Sequence, residues 1–325
     1  MSNISNNSLA TNGTNMSSSS ISNTVFSVLT AILITFTVIG NVMTVIVIYK
    51  TPRLWDTSSL LLGNMAVADL VAGMVCMPPV LISMNIRRSY LSSTLCIMAG
   101  YINTVVIGAS LQTLAFICSD RCIAILRPLH YHMYMSTNVL KVLIILSWVL
   151  PMVVSILPLL GLQQYGLGYY QFVDYLSMCW IDVMQVQKNR AFLLLIYSLV
   201  VFVLTSVIVS CILILRVIHK LKNTVINISL SSGIDRTISK SSITMMLIVG
   251  VFVICLMPAV IITFATSITG VRFHADVYQI IIWFTYLNSA INPILYGFSN
   301  QQFRRSYNTL WNKRVGIFRF CKRTN

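Results

Sequence analysis

Acid and amide groups stand in this chain where they are expensive to keep. Asp69 lies in Asn64-Met-Ala-Val-Ala-Asp69-Leu, and Asn288, Ser289, Asn292 and Tyr296 lie in Trp283-Phe-Thr-Tyr286-Leu-Asn288-Ser289-Ala-Ile-Asn292-Pro293-Ile-Leu-Tyr296; both stretches are otherwise apolar. An ionised Asp at the centre of a bilayer costs on the order of 2.5 to 3.5 kcal/mol even on insertion scales, so Asp69 has to face the interior of a bundle and meet partners or a cation. A further group, Ser119-Asp120-Arg121-Cys122, sets opposite charges side by side at the end of an apolar run. Alone, that pair reads as a local ion pair or a snorkelling anchor. Enzyme chemistry finds no comparable footing. The histidines are His130, His132, His219 and His274, and neither HExxH nor GxSxG occurs, so the sequence offers no metal-ligand pair and no nucleophile with its base.

Groups of this kind need elements that hold them within lipid. Hydrophobic residues make up 57% of the 325 residues and charged residues 9%, with a mean hydropathy of +0.83, too much apolar surface for the polar shell of a soluble core. The bilayer is the solvent. Crossing about 30 Å of hydrocarbon takes about 20 helical residues, and suitable runs fall at 25–49, 58–84, 95–126, 139–161, 191–218, 241–268 and 276–298. Seven spans put the termini on opposite sides. Of the 22 Lys and Arg, Arg87, Arg88, Lys188, Arg190 and Arg272 fall on one side and the other 17 on the opposite side, which makes the C-terminal side cytosolic. The same placement accounts for a net charge of +15 without nucleic acid.

Residues 1–24 form a Ser/Asn/Thr-rich tract, read as a disordered outer tail, with glycosylation sequons at Asn3, Asn6, Asn12 and Asn15. Pro78-Pro79 either kinks the second span or ends it, and Pro258 is either a hinge or a static bend in the sixth. Trp148 in the fourth span is a packing ring or a lipid contact. Cys96 and Cys179 both lie on the oxidising outer side, while the remaining cysteines are in spans or cytosolic, so these two pair as a disulfide. The outer loop 162–190 carries Tyr165, Tyr169, Tyr170, Phe172, Tyr175 and Trp180, either a lid over a cavity or an interfacial aromatic belt. Beyond the seventh span, Phe303, Tyr307, Leu310 and Trp311 recur at helical spacing among Arg304, Arg305, Lys313 and Arg314, which predicts an amphipathic helix on the lipids of the inner leaflet. Cys321, beside Lys322 and Arg323, is a candidate palmitate site. The domains are thus an outer tail over 1–24, a helical bundle over 25–298, and a juxtamembrane helix with a basic tail over 299–325.

With these motifs in these spans, the chain resembles the rhodopsin-like (class A) G-protein-coupled receptors over roughly residues 25–312. The resemblance rests on Asn41, Asp69, Cys96 with Cys179, Asp120-Arg121, Trp148, Phe252 with Pro258, and Asn292-Pro293-Ile294-Leu295-Tyr296. It implies an all-α membrane protein, a seven-transmembrane helix bundle in the plasma membrane with its N-terminus outside. An extracellular ligand would move the sixth helix outward and activate a heterotrimeric G protein, with arrestin and receptor kinases as further partners. Arg121 is then held by Asp120 at rest and meets the G protein when released, Tyr296 turns inward to hold the open state, and Phe252 with Pro258 couples the ligand to the sixth helix. Asp69, Ser110, Asn288, Ser289 and Asn292 match a cluster of oxygen ligands that binds an allosteric sodium ion, which favours the resting state. No other cofactor is implied.

By position, Asn103, Thr104, Ile107, Thr263, Gln279 and Tyr286 line the ligand cavity. A neutral Asn103 stands where amine receptors hold an aspartate and cannot supply the charge-assisted bond, which disfavours a monoamine. Tyr286 occupies the place of the retinal-linked lysine and argues against a photopigment. A neutral or weakly polar ligand, or part of a peptide, fits better. Other departures are Cys122 after the arginine, Leu256 where a tryptophan usually floors the cavity, and Ile214 where a tyrosine usually meets Tyr296. Two other functions fit part of the pattern: a transporter or ion pathway built on the Asp69 cluster, and a receptor fold that does not signal.

Overall fold

The computed structural model describes the backbone of residues 6–86, 92–225, 234–299 and 303–309, and the side chains of 24–86, 92–217, 219–220, 246–297 and 303–309. The chain runs as α1 (Asn6–Lys50), α2 (Thr57–Val71), a π-helical turn (Ala72–Cys76), α3 (Met77–Ile86), α4 (Ser93–Leu126), the one-turn α5 (Tyr131–Tyr134), α6 (Thr137–Ile156), the hairpin β1 (Gln171–Val173) and β2 (Met178–Trp180), α7 (Val186–Val225), α8 (Ile234–Thr269) and α9 (Ala275–Ser299). Six continuous helical stretches are long and apolar enough to cross a membrane: Thr24–Lys50, Thr57–Ile86, Ser93–Leu126, Thr137–Leu159, Val186–Val217 and Met246–Thr269. The seventh span, α9, is 25 residues long, and its polar residues dilute the apolar run. It takes its place by packing between α1 and α8.

Capping side chains start several of these helices. Asp56 accepts from the Ser59 amide, Ser92 from that of Leu95 and Ser136 from that of Val139, each satisfying a backbone donor that a helix start leaves without a partner. The proline pair does not end the second span. A proline forbids the carbonyl four residues earlier from its usual bond, and the chain opens into the wider turn Ala72–Cys76 immediately before it, the Met77 amide reaching back to Ala72. The helix then resumes as α3.

One expectation is redrawn at the N-terminal end. Helix α1 begins at Asn6, so the tract read as a disordered tail continues the apolar helix behind it. Adding a residue to an existing helix needs no new nucleus. Asn3 and Cys321 lie outside the described residues, as do the side chains of Asn6, Asn12 and Asn15. The short helical piece at 303–309 buries Phe303 and leaves Arg304 and Arg305 exposed; Tyr307 shares a hydrogen bond of 2.8 Å with Thr44 of α1.

Helix α4 is the central post, packing against α2, α6 and α7. Large apolar side chains such as Phe202, Ile39 and Ile254 point outward, as a lipid-facing surface requires. The Cys96–Cys179 disulfide is formed and fastens β2 to the outer end of α4. Across the bundle, α1 meets α9 where Gly40 faces Pro293: a Cβ at Gly40 would stand 2.9 Å from the Pro293 ring. Overpacking of this kind costs about 1 to 3 kcal/mol. Gly40→Ala is therefore expected to lower the melting temperature of the purified protein, and Gly40→Val to lower it further; a melting curve unchanged by both would show that α1 and α9 do not depend on this close approach.

Candidate functional site

Pro293 sets the chemistry at mid-bundle. Lacking an N–H, it leaves the carbonyl of Ser289, four residues earlier, without a helical partner. Asn41 of α1 supplies one: its Nδ2 donates to that carbonyl at 3.0 Å and to the Thr37 carbonyl at 2.9 Å. Next to the bend, Asn292 Nδ2 donates to Asp69 Oδ2 at 2.8 Å, and the Ser289 side chain is a second hydrogen-bond partner of that carboxylate. All four residues are buried.

Ser110, Asn288 and Ser289 face a small cavity of about 40 Å³, closed on other sides by Phe252, Leu256 and Tyr286. The carboxamide oxygens of Asn288 and Asn292 are buried without a hydrogen-bond partner. A carboxylate, two idle carboxamide oxygens and two hydroxyls form a donor set made only of oxygen, the chemistry a hard cation prefers. Among the described residues no group of three or more His, Cys, Asp or Glu could hold a metal ion.

A second acid organises the end of the bundle where α4 finishes. Asp120 accepts from Arg121 through Nε (2.9 Å) and Nη2 (2.6 Å), from Ser58 Oγ (2.6 Å) and from the Tyr131 hydroxyl (2.6 Å). Arg121 Nη2 also bonds Ser58. Asp120 is fully buried, while the Arg121 side chain keeps 18% of its surface exposed, so the guanidinium is held at the edge of the bundle. Ser58 and Tyr131 escaped sequence reasoning, because a serine in the first turn of α2 and a tyrosine in a loop helix carry no periodic signal. Tyr131, between His130 and His132, is the residue of that loop that touches the acid. Tyr296 is buried, its ring 5.9 Å from Phe303 and its hydroxyl without a partner; Ile214, its missing tyrosine partner, is buried too. Trp148 proves to be a packing ring. It donates to Asn64 Oδ1 at 2.9 Å, and Asn64 in turn donates to Thr113 and Ser147, which joins α2, α4 and α6.

Toward the outer side a cavity of about 170 Å³ opens between α4, α7, α8 and α9. Asn103, Ile107, Thr263 and Tyr286 line it, as positioned from sequence. Thr104 and Gln279 do not. Thr104 donates to the Gly100 carbonyl and accepts from Tyr170 of the outer loop, and Gln279 is buried elsewhere. The loop roofs the cavity with Leu176, Met178, Trp180 and Val183. Asp182 ties that roof down, accepting from the Tyr175 hydroxyl at 2.7 Å, the Met184 amide at 3.0 Å and the side chains of Gln171 and Gln185. Arg272 stacks 4.7 Å above the Tyr175 ring from the opposite loop.

A family model described as 7 transmembrane receptor (rhodopsin family) matches residues 40–296. Trace amine-associated receptor 1 of Mus musculus is 28% identical over 287 residues, covering 86% of each chain. The histamine H2 receptor of Cavia porcellus is 26% identical over 88% of this chain and 79% of its own, and a QRFP-like peptide receptor of Branchiostoma floridae 24% identical over 85% and 74%. Squid rhodopsin, a solved structure, matches with a TM-score of 0.78 at 18% identity over 91% of this chain and 87% of that one, a likeness of fold.

The Asp120 node yields a stability test. Burial, and then the hydrogen bond to Asp120, push the Tyr131 hydroxyl up to about 12. Because the folded state favours the neutral phenol, this bond contributes fully below the ordinary tyrosine value near 10 and is lost as pH rises through about 12. Removing it leaves a buried carboxylate one donor short, at a cost of about 1 to 3 kcal/mol. Tyr131→Phe should lower the melting temperature at neutral pH and lose its deficit near pH 12, whereas Tyr134→Phe, which touches only exposed Arg127, should melt like the parent.

Proposed function

The chain belongs to the rhodopsin family of seven-transmembrane receptors, and from that premise we propose that it carries an extracellular ligand's signal across the plasma membrane to a heterotrimeric G protein. In this reading the N-terminus is outside, the C-terminus is cytosolic, and α8, the sixth span, swings outward about Pro258. The observation that carries the reading is the closed node at the cytosolic end, where Asp120, Ser58 and Tyr131 hold the Arg121 guanidinium that a G protein would meet. Opening that node exposes Arg121. Arrestin and receptor kinases would read the same open face. Ile214 offers Tyr296 no hydroxyl, so the open state relies on Tyr296 and Arg121 without the usual tyrosine pair.

Sodium fits the middle site as an allosteric ion held by Asp69, Ser110, Asn288, Ser289 and Asn292. When bound it supplies a positive charge for Asp69. Its ligands come from three helices, so movement of any one of them scatters the set, and occupancy favours the resting arrangement. Asn41, which holds the Ser289 carbonyl, keeps one wall of that set in place.

Both claims can be read as guanine-nucleotide exchange in membranes bearing the full chain with a panel of heterotrimeric G proteins. Asp120→Asn removes the charge that holds Arg121 and should raise basal exchange several-fold; adding Arg121→Ala in that background should abolish the rise. Exchange that ignores Arg121 would overturn the reading. Replacing choline chloride with sodium chloride should lower basal exchange of the parent, and Asp69→Asn should erase that response while preserving the Arg121 dependence.

A further inference from the structure

The outer cavity has a wall chemistry that names its occupant's class. Of its lining residues, Leu111, Leu176, Val200, Val260 and Ile281 typify a surface of aliphatic and aromatic groups, and the lining contains no Asp, Glu, Lys, Arg or His. Its hydroxyls are already engaged or turned away. Thr263 donates to the Ala259 carbonyl and Thr285 to that of Ile281, while the Tyr197 and Tyr286 hydroxyl oxygens are buried out of contact with open space. Asn103 is the exception. It lines both this cavity and the smaller one beneath, it is 4% exposed, and among the described residues nothing hydrogen-bonds its side chain.

From this we infer that the ligand is an uncharged, largely apolar small molecule carrying one hydroxyl or carboxamide, which exchanges a donor and an acceptor with the Asn103 carboxamide. The inference rests on the receptor reading above and deepens it. An ammonium in this cavity meets no counter-charge, since no acid lines it and Asp182 of the roof is committed to the loop. Leaving a charge unpaired in so apolar a site costs far more than a neutral hydroxyl does. A carboxylate fares no better without a cation in the wall. Size points the same way: a cavity of about 150 Å³ holds one benzene, so about 170 Å³ suits a single ring with a short substituent. A buried carboxamide without a partner is costly, and a neutral group with both a donor and an acceptor is what relieves it.

The experiment uses the purified full-length chain and three probes of one size: 3-phenylpropan-1-ol, 3-phenylpropylamine and butylbenzene, with binding read from ligand-dependent shifts in melting temperature. The alcohol should bind about tenfold more tightly than butylbenzene, the worth of one net hydrogen bond, and the amine at least about tenfold more weakly than the alcohol. Asn103→Leu should abolish the preference for alcohol over hydrocarbon. Asn103→Asp, which keeps the shape and adds the missing anion, should reverse the order in favour of the amine. Parity or preference for the amine on the parent chain, failure of all three probes to bind, or an alcohol preference that survives Asn103→Leu would each overturn the inference. Binding does not depend on signalling. Asn103-dependent alcohol binding without Arg121-dependent nucleotide exchange would refute the receptor reading and leave the ligand class standing.

Discussion

Hydrocarbon offers no hydrogen bonds, so a polar group that enters the bilayer must be met by another part of the same chain. The Ser289 carbonyl, freed by Pro293, makes that requirement concrete. Asn41 reaches across from α1 to replace the lost amide donor. This bond needs α1 and α9 close together, which is why Gly40 faces the proline ring. It also places Asn292 where its amide reaches Asp69. One missing donor thus fixes the approach of one helix pair and the position of the central acid.

Acids divide the bundle into three levels. At one end Asp120 has donors from Arg121, Ser58 and Tyr131; at the other Asp182 has donors from a phenol, an amide nitrogen and two glutamines. Between them Asp69 has two partners, and carboxamide oxygens without donors lie close by on α9. The outer and inner levels are closed networks that favour one arrangement. The middle level is an electrostatically incomplete one, surrounded by surplus acceptors, and its balance changes when a positive charge arrives. The three networks therefore differ in how completely their charge is satisfied, and the central one has the most unsatisfied acceptors.

Much of this was legible in the sequence because lipid exaggerates the cost of polarity. Asp69, Asn292 and Asn41 stand out from apolar runs, and pairing them needs only the assumption that each must be satisfied. The disulfide followed from which side of the membrane each cysteine occupies. What escaped lies where water relaxes that constraint. Ser58, Tyr131 and Asp182 sit at helix starts or in loops, where a polar residue is unremarkable until its partner is seen. Thr104 illustrates another limit: helical spacing puts it near the cavity, but its hydroxyl turns to the Gly100 carbonyl and to Tyr170, a choice of rotamer that no spacing records. The proline pair of the second span also remained ambiguous, because whether a helix ends or widens depends on the packing around the turn.

The roof of the outer cavity is held by a covalent bond to α4, by the Asp182 cluster and by Arg272 on Tyr175. The disulfide ties the loop to α4, and Tyr175 carries both other contacts, the hydrogen bond to Asp182 and the stacking of Arg272. Where departure of a molecule beneath it requires part of the roof to come loose, how long it stays is set by the loop's own opening rate as much as by contacts inside the cavity. Two ligands of equal affinity can then differ widely in dwell time if one leaves the roof fastened and the other strains it. The time a molecule stays in the cavity, as distinct from how tightly it is held, then depends on the loop that covers it.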